Sequence, residues 1–412
     1  MDSLRPLTAQ EEIYWQLTFN DQIHPVIAAH VTGSTRPEQW RIALDALQTR
    51  HPLLSVSIES PSPNTPGLTQ PFFRRRGEGP IPLRIVPWTS VLRWEEEIER
   101  ELAIPFRPGE TPLARAALIH TSDRSIFILA VSHSISDGTS LSLMVRDILS
   151  AVVGQPLESL AFPRSAEQML GIEPAIPASP ATDALQDSKV SDGPPTVRSL
   201  RFTEALTDRL ITVSRQNGTT LHGALAAAFV LAMRQQIPGF QHEVIRIISP
   251  VNIRSVLGAG DECGMYFTSP KAEFDPAQSS GFWDMARSVR QGIIDASTRD
   301  ALLAVTAAMQ GMTANGLTKA AAADTLNHVF ATSMLLTNLG RTPYGSVFKG
   351  LKLESLWTGV LGGLPGIQTV GVATTNGSLC LLLTSREPIP LLLETTETIL
   401  SNICDNLSPS SP

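Results

Sequence analysis

The stretch Ala130-Val131-Ser132-His133-Ser134-Ile135-Ser136-Asp137-Gly138-Thr139 sets an imidazole, a carboxylate and a glycine at a spacing that suits proton transfer. An imidazole near its ordinary pKa can take a proton from a hydroxyl or an amine and hand it on. Phe127, Leu129 and Val131 alternate, which predicts a strand running into His133. Leu141, Leu143, Met144, Val145 and Ile148 recur at helical spacing after Gly138. At such a junction the backbone is anchored in a sheet while the ring projects into a cleft. Asp137 and Gly138 read as a tight turn into the helix, where glycine supplies backbone angles closed to other residues. Plainer roles also fit: His133 as a strand end bonded to backbone, Asp137 as a helix cap.

Around this junction the chain reads as α+β. An amphipathic segment at 11–17 precedes a strand at 26–31 and a helix at 37–49 with Trp40, Ile42, Ala43, Leu44 and Leu47 on its apolar side. Strand signals follow at 53–58, 72–75 and 83–86, then a charged helix at 92–102. Strands at 114–120 and 125–133 flank the polar turn Thr121-Ser122-Asp123-Arg124. From Gly154 to Thr196 the pattern dissolves into Pro, Ser, Ala and Asp, including Pro174, Pro177 and Pro180, which predicts a linker. The expected division is a lobe at 1–153, a crossover at 154–196 and a second lobe at 197–412. In that lobe we expect a strand at 198–202, helices at 206–216 and 221–235, and strands at 243–249, 332–337, 353–360, 369–375 and 379–384. A helix at 390–407 closes the chain.

Composition excludes several classes. The net charge of -7, without a Lys/Arg cluster among aromatics, lacks the footprint of nucleic-acid binding. Cys263, Cys380 and Cys404 are scattered, which suggests neither a disulfide framework nor a zinc site and suits a reducing compartment. His24, His30, His120, His242 and His328 show no metal-ligand spacing, so no metal is expected. The apolar run from Gly223 to Met233 is short of the roughly 20 residues that span a bilayer and reads as a buried core helix. The opening residues lack a signal peptide's basic start and apolar core, so a cytoplasmic location without membrane contact is expected.

The segment around His133 resembles the His-x-x-x-Asp-Gly motif of the superfamily of chloramphenicol acetyltransferase, plant BAHD and alcohol acyltransferases, polyketide-associated acyltransferases and peptide-synthetase condensation domains. Other segments are similar to that superfamily in the same order. They are Arg50-His51-Pro52-Leu53-Leu54, Pro105-Phe106 with Pro112-Leu113-Ala114-Arg115, Gly218 to Leu225, Ser249-Pro250-Val251-Asn252-Ile253-Arg254, Gly264-Met265-Tyr266 and Thr337-Asn338-Leu339-Gly340-Arg341. Condensation domains usually carry two adjacent histidines; Ser132 stands at the first. The Asp-Phe-Gly-Trp-Gly segment of BAHD enzymes is absent, which points to the alcohol acetyltransferase and polyketide-associated branch.

The resemblance implies a pseudo-dimer of two α+β sandwich lobes with a central tunnel. It also implies an acyltransferase that uses a coenzyme A or carrier-protein thioester as co-substrate, with no bound cofactor. His133 would be the general base, and Asp137 would pair with Arg254 to fix the loop, with Gly138 beside it. Ser132, Tyr266, Thr337, Asn338 and Trp357 would line the tunnel, and the Gly138 amide, Thr337 and Asn338 are candidates to stabilise an oxyanion. Arg74-Arg75-Arg76 reads either as a contact for coenzyme A phosphates or as a solvated strand end, while His51 and His222 read as packing residues. Expected partners are a small-molecule acceptor, an acyl thioester and an acyl carrier protein or polyketide synthase, acting on a monomer. Two other functions stay open: a cyclase acting on a polyketide-like or peptide-like substrate, and a non-catalytic module of a synthase.

Overall fold

The computed structural model describes residues 3–21, 23–61, 69–75, 79–107, 109–173, 193–278, 280–314, 332–364 and 366–406. The chain opens with β1 (Ser3–Pro6), α1 (Ala9–Asp21), β2 (Val26–Thr32), α2 (Pro37–Arg50), β3 (Val56–Glu59), β4 (Phe72–Arg75) and β5 (Leu83–Pro87). Then come α3 (Trp94–Ala103), β6 (Ala114–His120), β7 (Arg124–Val131), α4 (Gly138–Val152) and the short α5 (Ala166–Leu170). The second half begins with β8 (Thr196–Arg201), α6 (Glu204–Gln216), α7 (Leu221–Gln236), β9 (Ile245–Ile248), β10 (Val251–Asn252), α8 (Arg254–Leu257), β11 (Phe267–Thr268) and β12 (Lys271–Phe274). It continues through α9 (Phe282–Ala296), α10 (Arg299–Thr313), β13 (Met334–Arg341), β14 (Val347–Phe348), β15 (Leu351–Gly359), β16 (Gln368–Thr375) and β17 (Ser378–Ser385) to a closing helix, Leu392–Asn406.

Two six-stranded sheets carry the architecture, in the orders β14-β15-β2-β7-β6-β5 and β12-β9-β13-β16-β17-β8. Each contains the same arrangement. In the first, β5 runs parallel to β6, β6 and β7 form a hairpin, and β2 joins β7 antiparallel. In the second, β13, β16, β17 and β8 repeat that pattern. The molecule is therefore an α+β pseudo-dimer. Helices α2 and α4 cover one face of the first sheet, where Trp40 stacks on Phe127, and α7, α9 and the closing helix cover the second.

The halves are not separate. Strand β15 comes from the expected second lobe yet pairs antiparallel with β2 over Gly359↔Val26 to Lys352↔Thr32, which extends the first sheet. It also presses on β16. A Cβ at Gly371 would stand 1.8 Å from the Thr358 carbonyl oxygen, so only glycine admits this approach. The expected division at residues 153 and 197 takes no account of this exchange. The crossover's described first part, 154–173, is held by specific bonds: the Leu160 amide donates to the Arg50 carbonyl, and Ser165 and Gln168 form a capping box on α5. Pro174, Pro177 and Pro180 lie outside the described residues.

Three local expectations need correction. The strand expected from Leu53 starts at Val56, because Pro52, lacking an N–H, opens a 3-10 turn over Pro52–Ser55. Ile42 is not on the buried side of α2; it is 65% exposed, while Trp40, Ala43, Leu44 and Leu47 are buried. Strand β7 ends at Val131 rather than His133, leaving residues 132–137 as the turn that carries the imidazole. Helix α7 holds the apolar run from Gly223 to Met233 and is buried almost all round. A Cβ at Gly223 would meet the Ala286 carbonyl of α9 at 2.3 Å.

Candidate active site

His133 sits between β7 and α4 and lines a cleft of about 890 Å3, its solvent-open part included. The cleft draws its walls from both halves: Tyr14 on α1, Pro25 before β2, the first turn of α4, Asn252, Phe267, the stretch from Leu335 to Leu339, and Thr358 to Gly362. The His133 ring is fixed on both sides. Its Nδ1 stands 2.9 Å from the Ser136 carbonyl oxygen, and the rings of Tyr14 and Phe267 pack on it at centroid distances of 4.6 and 5.4 Å. A carbonyl only accepts, so Nδ1 carries the proton of the neutral ring and Nε2 is left as the basic nitrogen. Burial pushes the His133 pKa below 6.5, outweighing the opposing pull of backbone bonds and Asp137, so the ring is neutral at physiological pH.

Asp137 caps α4. One carboxylate oxygen accepts from the Ser140 amide at 2.7 Å and the Ser140 hydroxyl at 2.8 Å. The other accepts from the Arg254 guanidinium at 2.8 Å and the Tyr266 amide at 2.9 Å. Both charged side chains are almost wholly buried, at 5% and 7% exposure. Burial alone would raise the Asp137 carboxyl, but Arg254 and the two amides outweigh it and hold it below the ordinary carboxylate value. Arg254 also donates to the Ser140 hydroxyl and lies over the Tyr266 ring at 4.7 Å. Gly138 is not in the left-handed region, contrary to the turn argument made from sequence. Its need is space, since a Cβ there would meet the Leu339 side chain at 2.8 Å.

Asp147, ten residues along α4, forms a second anchor. It accepts from Arg50 at 2.7 Å and His51 at 2.9 Å, and from Arg146. The other His51 ring nitrogen lies 3.2 Å from the Cys263 sulfur. Burial raises that thiol's pKa far above its ordinary value, so Cys263 stays a neutral packing group. Elsewhere in the first half, Arg115 pairs with Glu101 at 2.8 Å and His24 bonds the Glu101 carbonyl at 2.9 Å. His222 bonds the Ser249 hydroxyl at 2.9 Å.

Of the residues expected along the tunnel, Thr337 and Asn338 line the cleft, as does Gly138. Three others do not. The Ser132 backbone is spent on Leu113 and Ser136 and its side chain is buried. The Tyr266 hydroxyl donates to the Arg164 carbonyl at 2.7 Å, so its ring packs beside Arg254 instead of facing substrate. Trp357 faces the other side of β15 against Trp94 and His30, because neighbouring strand residues point to opposite faces. Thr358 and Gly359 reach the cleft in its place. Arg74 is engaged with Glu59 at 3.0 Å, and Arg76 lies outside the described residues.

Sequence reasoning missed Tyr14, Phe267 and the Gly359–Gly362 turn. The turn had a signal: Gly359, Gly362 and Gly363 interrupt an apolar run. Tyr14 and Phe267 had none, as aromatics in apolar segments read as core. Among the described residues, no group of three or more His, Cys, Asp or Glu side chains could hold a metal ion, and no helix is long and apolar enough to cross a membrane.

Comparison with known proteins agrees with this architecture. The family described as phthiocerol/phthiodiolone dimycocerosyl transferase C-terminus matches residues 191–370. A plipastatin synthase chain of Bacillus subtilis (strain 168) is 25% identical over 293 residues, 64% of this chain; the chain spans only 11% of that protein's length. The structure of polyketide synthase associated protein 5 from Mycobacterium tuberculosis superposes with a TM-score of 0.68 at 17% identity, covering 99% of this chain and 100% of the other. TRI3 trichothecene 15-O-acetyltransferase from Fusarium sporotrichioides gives 0.67 at 13% identity, covering 96% and 94%. The chain thus has the two-lobed fold of these acyltransferase and condensation-domain structures, and over part of its length it is similar in sequence to a transferase family and to peptide-synthase chains.

Proposed function

We propose that the protein transfers an acyl group from a thioester to a hydroxyl or amine of a small secondary-metabolite acceptor, with His133 as general base. The observation that carries this reading is the bond from His133 Nδ1 to the Ser136 carbonyl, which fixes the neutral tautomer with Nε2 basic on a ring lining the cleft. The acceptor heteroatom attacks the thioester carbonyl carbon and gives its proton to Nε2. The tetrahedral oxyanion then collapses, the C–S bond breaks, and the leaving thiolate takes that proton back from the imidazolium. No covalent acyl-enzyme forms and no cofactor takes part; the thioester, on coenzyme A or a carrier protein, is a co-substrate.

The oxyanion needs fixed donors. Asp137 uses the Ser140 amide, and Gly138 and Thr139 of the same helical turn line the cleft, which makes their amides candidates. Thr337 and Asn338 stand on another wall, where the Asn338 side-chain oxygen accepts from the Gly340 amide. One chain supplies every wall of the cleft, so the reading requires only a monomer.

The test is turnover of acyl-CoA and acyl-carrier-protein donors with alcohols and amines, followed by thiol release and product mass. Wild type should transfer, and a folded His133→Ala should be slower by about 10² to 10⁴. A folded wild type that releases no thiol from any donor, or a His133→Ala variant of undiminished rate, would overturn the proposal.

A further inference from the structure

A second cavity lies directly behind the first. It occupies about 1600 Å3, open side included, between α1, α5, α10 and the turn from β11 to β12. Tyr14 and Phe267 are the described residues that line both spaces. Their rings meet edge-on at 5.6 Å and 85°, and both stand against the His133 imidazole, so this aromatic pair is the wall between the base and the second cavity. Behind the wall the surface is mostly apolar, formed by Ile13, Leu170, Ile253, Leu302 and Met309 among others.

We propose that this cavity takes a long aliphatic acyl chain of the thioester, which passes from the reacting carbonyl between Tyr14 and Phe267. The inference rests on the acyl-transfer reading above. Three groups meet at the reacting carbon: the thiol arm, the incoming acceptor and the acyl chain. The first two must reach solvent through the cleft, because one is tethered to its carrier and the other must enter and leave. The acyl chain is tied only to the carbonyl, and if aliphatic it gains by leaving water. Its enclosed part, about 550 Å3, lies within the roughly 300–1,000 Å3 of cavities that bury a drug-sized ligand, so it has room for more than an acetyl group. Its lining along α10, from Ala301 to Met312, extends about 16 Å at the helical rise, a long chain's reach. Passage of the chain requires these two rings to part.

The test uses unreactive S-alkyl pantetheine thioethers, from ethyl to tetradecyl, since pantetheine is the arm common to coenzyme A and carrier proteins. Titration calorimetry with wild type should show affinity rising about fourfold per added methylene until the cavity is filled. Ala301→Trp should cut this rise short. Ala308→Trp, on an exposed part of the same lining, should do likewise without disturbing the core, and circular dichroism checks that both fold. A flat series in wild type, or the same rise in both folded variants, overturns the proposal. The two readings separate cleanly. Turnover that is indifferent to chain length keeps acyl transfer and sinks the acyl cavity, while length-dependent binding with no turnover from any donor does the reverse.

Discussion

Replacing Asp137 by Asn tests the anchor beneath the base. The substitution keeps an acceptor for Ser140, but it turns the oxygen that serves Arg254 and the Tyr266 amide into a donor facing donors. The Arg254 charge is then left buried without a counter-charge, a loss of about 3–5 kcal/mol. Spread over 412 residues at about 2.1 cal/mol/K each, this is a fall in Tm of about 3–6 °C. Thermal melts of wild type, Asp137→Asn and the double variant Asp137→Asn/Arg254→Met measure it. The double variant should recover part of the loss, since it removes the stranded charge. The sign of the pH dependence follows from the depressed carboxyl. The pair's contribution is complete above the unfolded value of 3.8 and is lost as pH falls through the lower folded pKa, so the gap between wild type and Asp137→Asn stays constant from pH 7 to pH 5. Equal melting of Asp137→Asn and wild type, or a double variant no better than the single one, would refute the reasoning.

Burial holds the His133 pKa below 6.5, so the acid limb of kcat/KM should lie below pH 6.5; a limb at or above that value would contradict a desolvated base. His30 and His222 are pushed down to about 4 by burial, so the unfolded chain takes up protons first as pH drops below 6.5. Stability complete above 6.5 should fall towards pH 4, and a urea midpoint unchanged between pH 7 and pH 5 would count against their burial as neutral rings. Gly371→Ala sets a Cβ 1.8 Å from the Thr358 carbonyl oxygen, and backbone cannot swing aside as a side chain can. It should cost at least the upper end of the about 1–3 kcal/mol of ordinary overpacking, and an unshifted urea midpoint would show that β15 and β16 separate readily.

What could be read from the sequence follows from how local each signal is. Strands β6 and β7, the turn between them and helix α4 are written in short apolar periods and in one polar turn, so the junction that carries His133 is visible without any knowledge of the fold. The region from residue 250 to 274 is not, whereas α9 and α10 beyond it carry helical periods that the reading of the sequence overlooked. The strands of that region, β10, β11 and β12, are two to four residues long, too short for a period to show, and they exist because they pair across a loop. The short strand β11 supplies Phe267, which is why the wall between the two cavities has no trace in the sequence. Trp357 fails for another reason: β15 alternates at Leu351 to Glu354, but a register shift between Leu353 and Ser355 turns Trp357 to the opposite face from Leu353, and the sequence does not mark that irregularity.

The placement of the base depends on α4 more than on the motif itself. Asp137 ties the start of this helix to Arg254 and Tyr266 of the second half, and Asp147 ties it further along to Arg50 and His51 at the end of α2. The turn holding His133 is therefore suspended between a strand fixed in the first sheet and a helix fixed from two directions. Strand β15 closes the arrangement, because it joins the first sheet while its following turn, Val360 to Gly362, forms part of the cleft wall. A chain ending at residue 196 would retain the whole His133-Asp137-Gly138 set. It would nevertheless leave a buried carboxylate without its guanidinium and a first sheet without two strands. The geometry around His133 is thus a property of both halves, and the short motif marks only the place where they are held together.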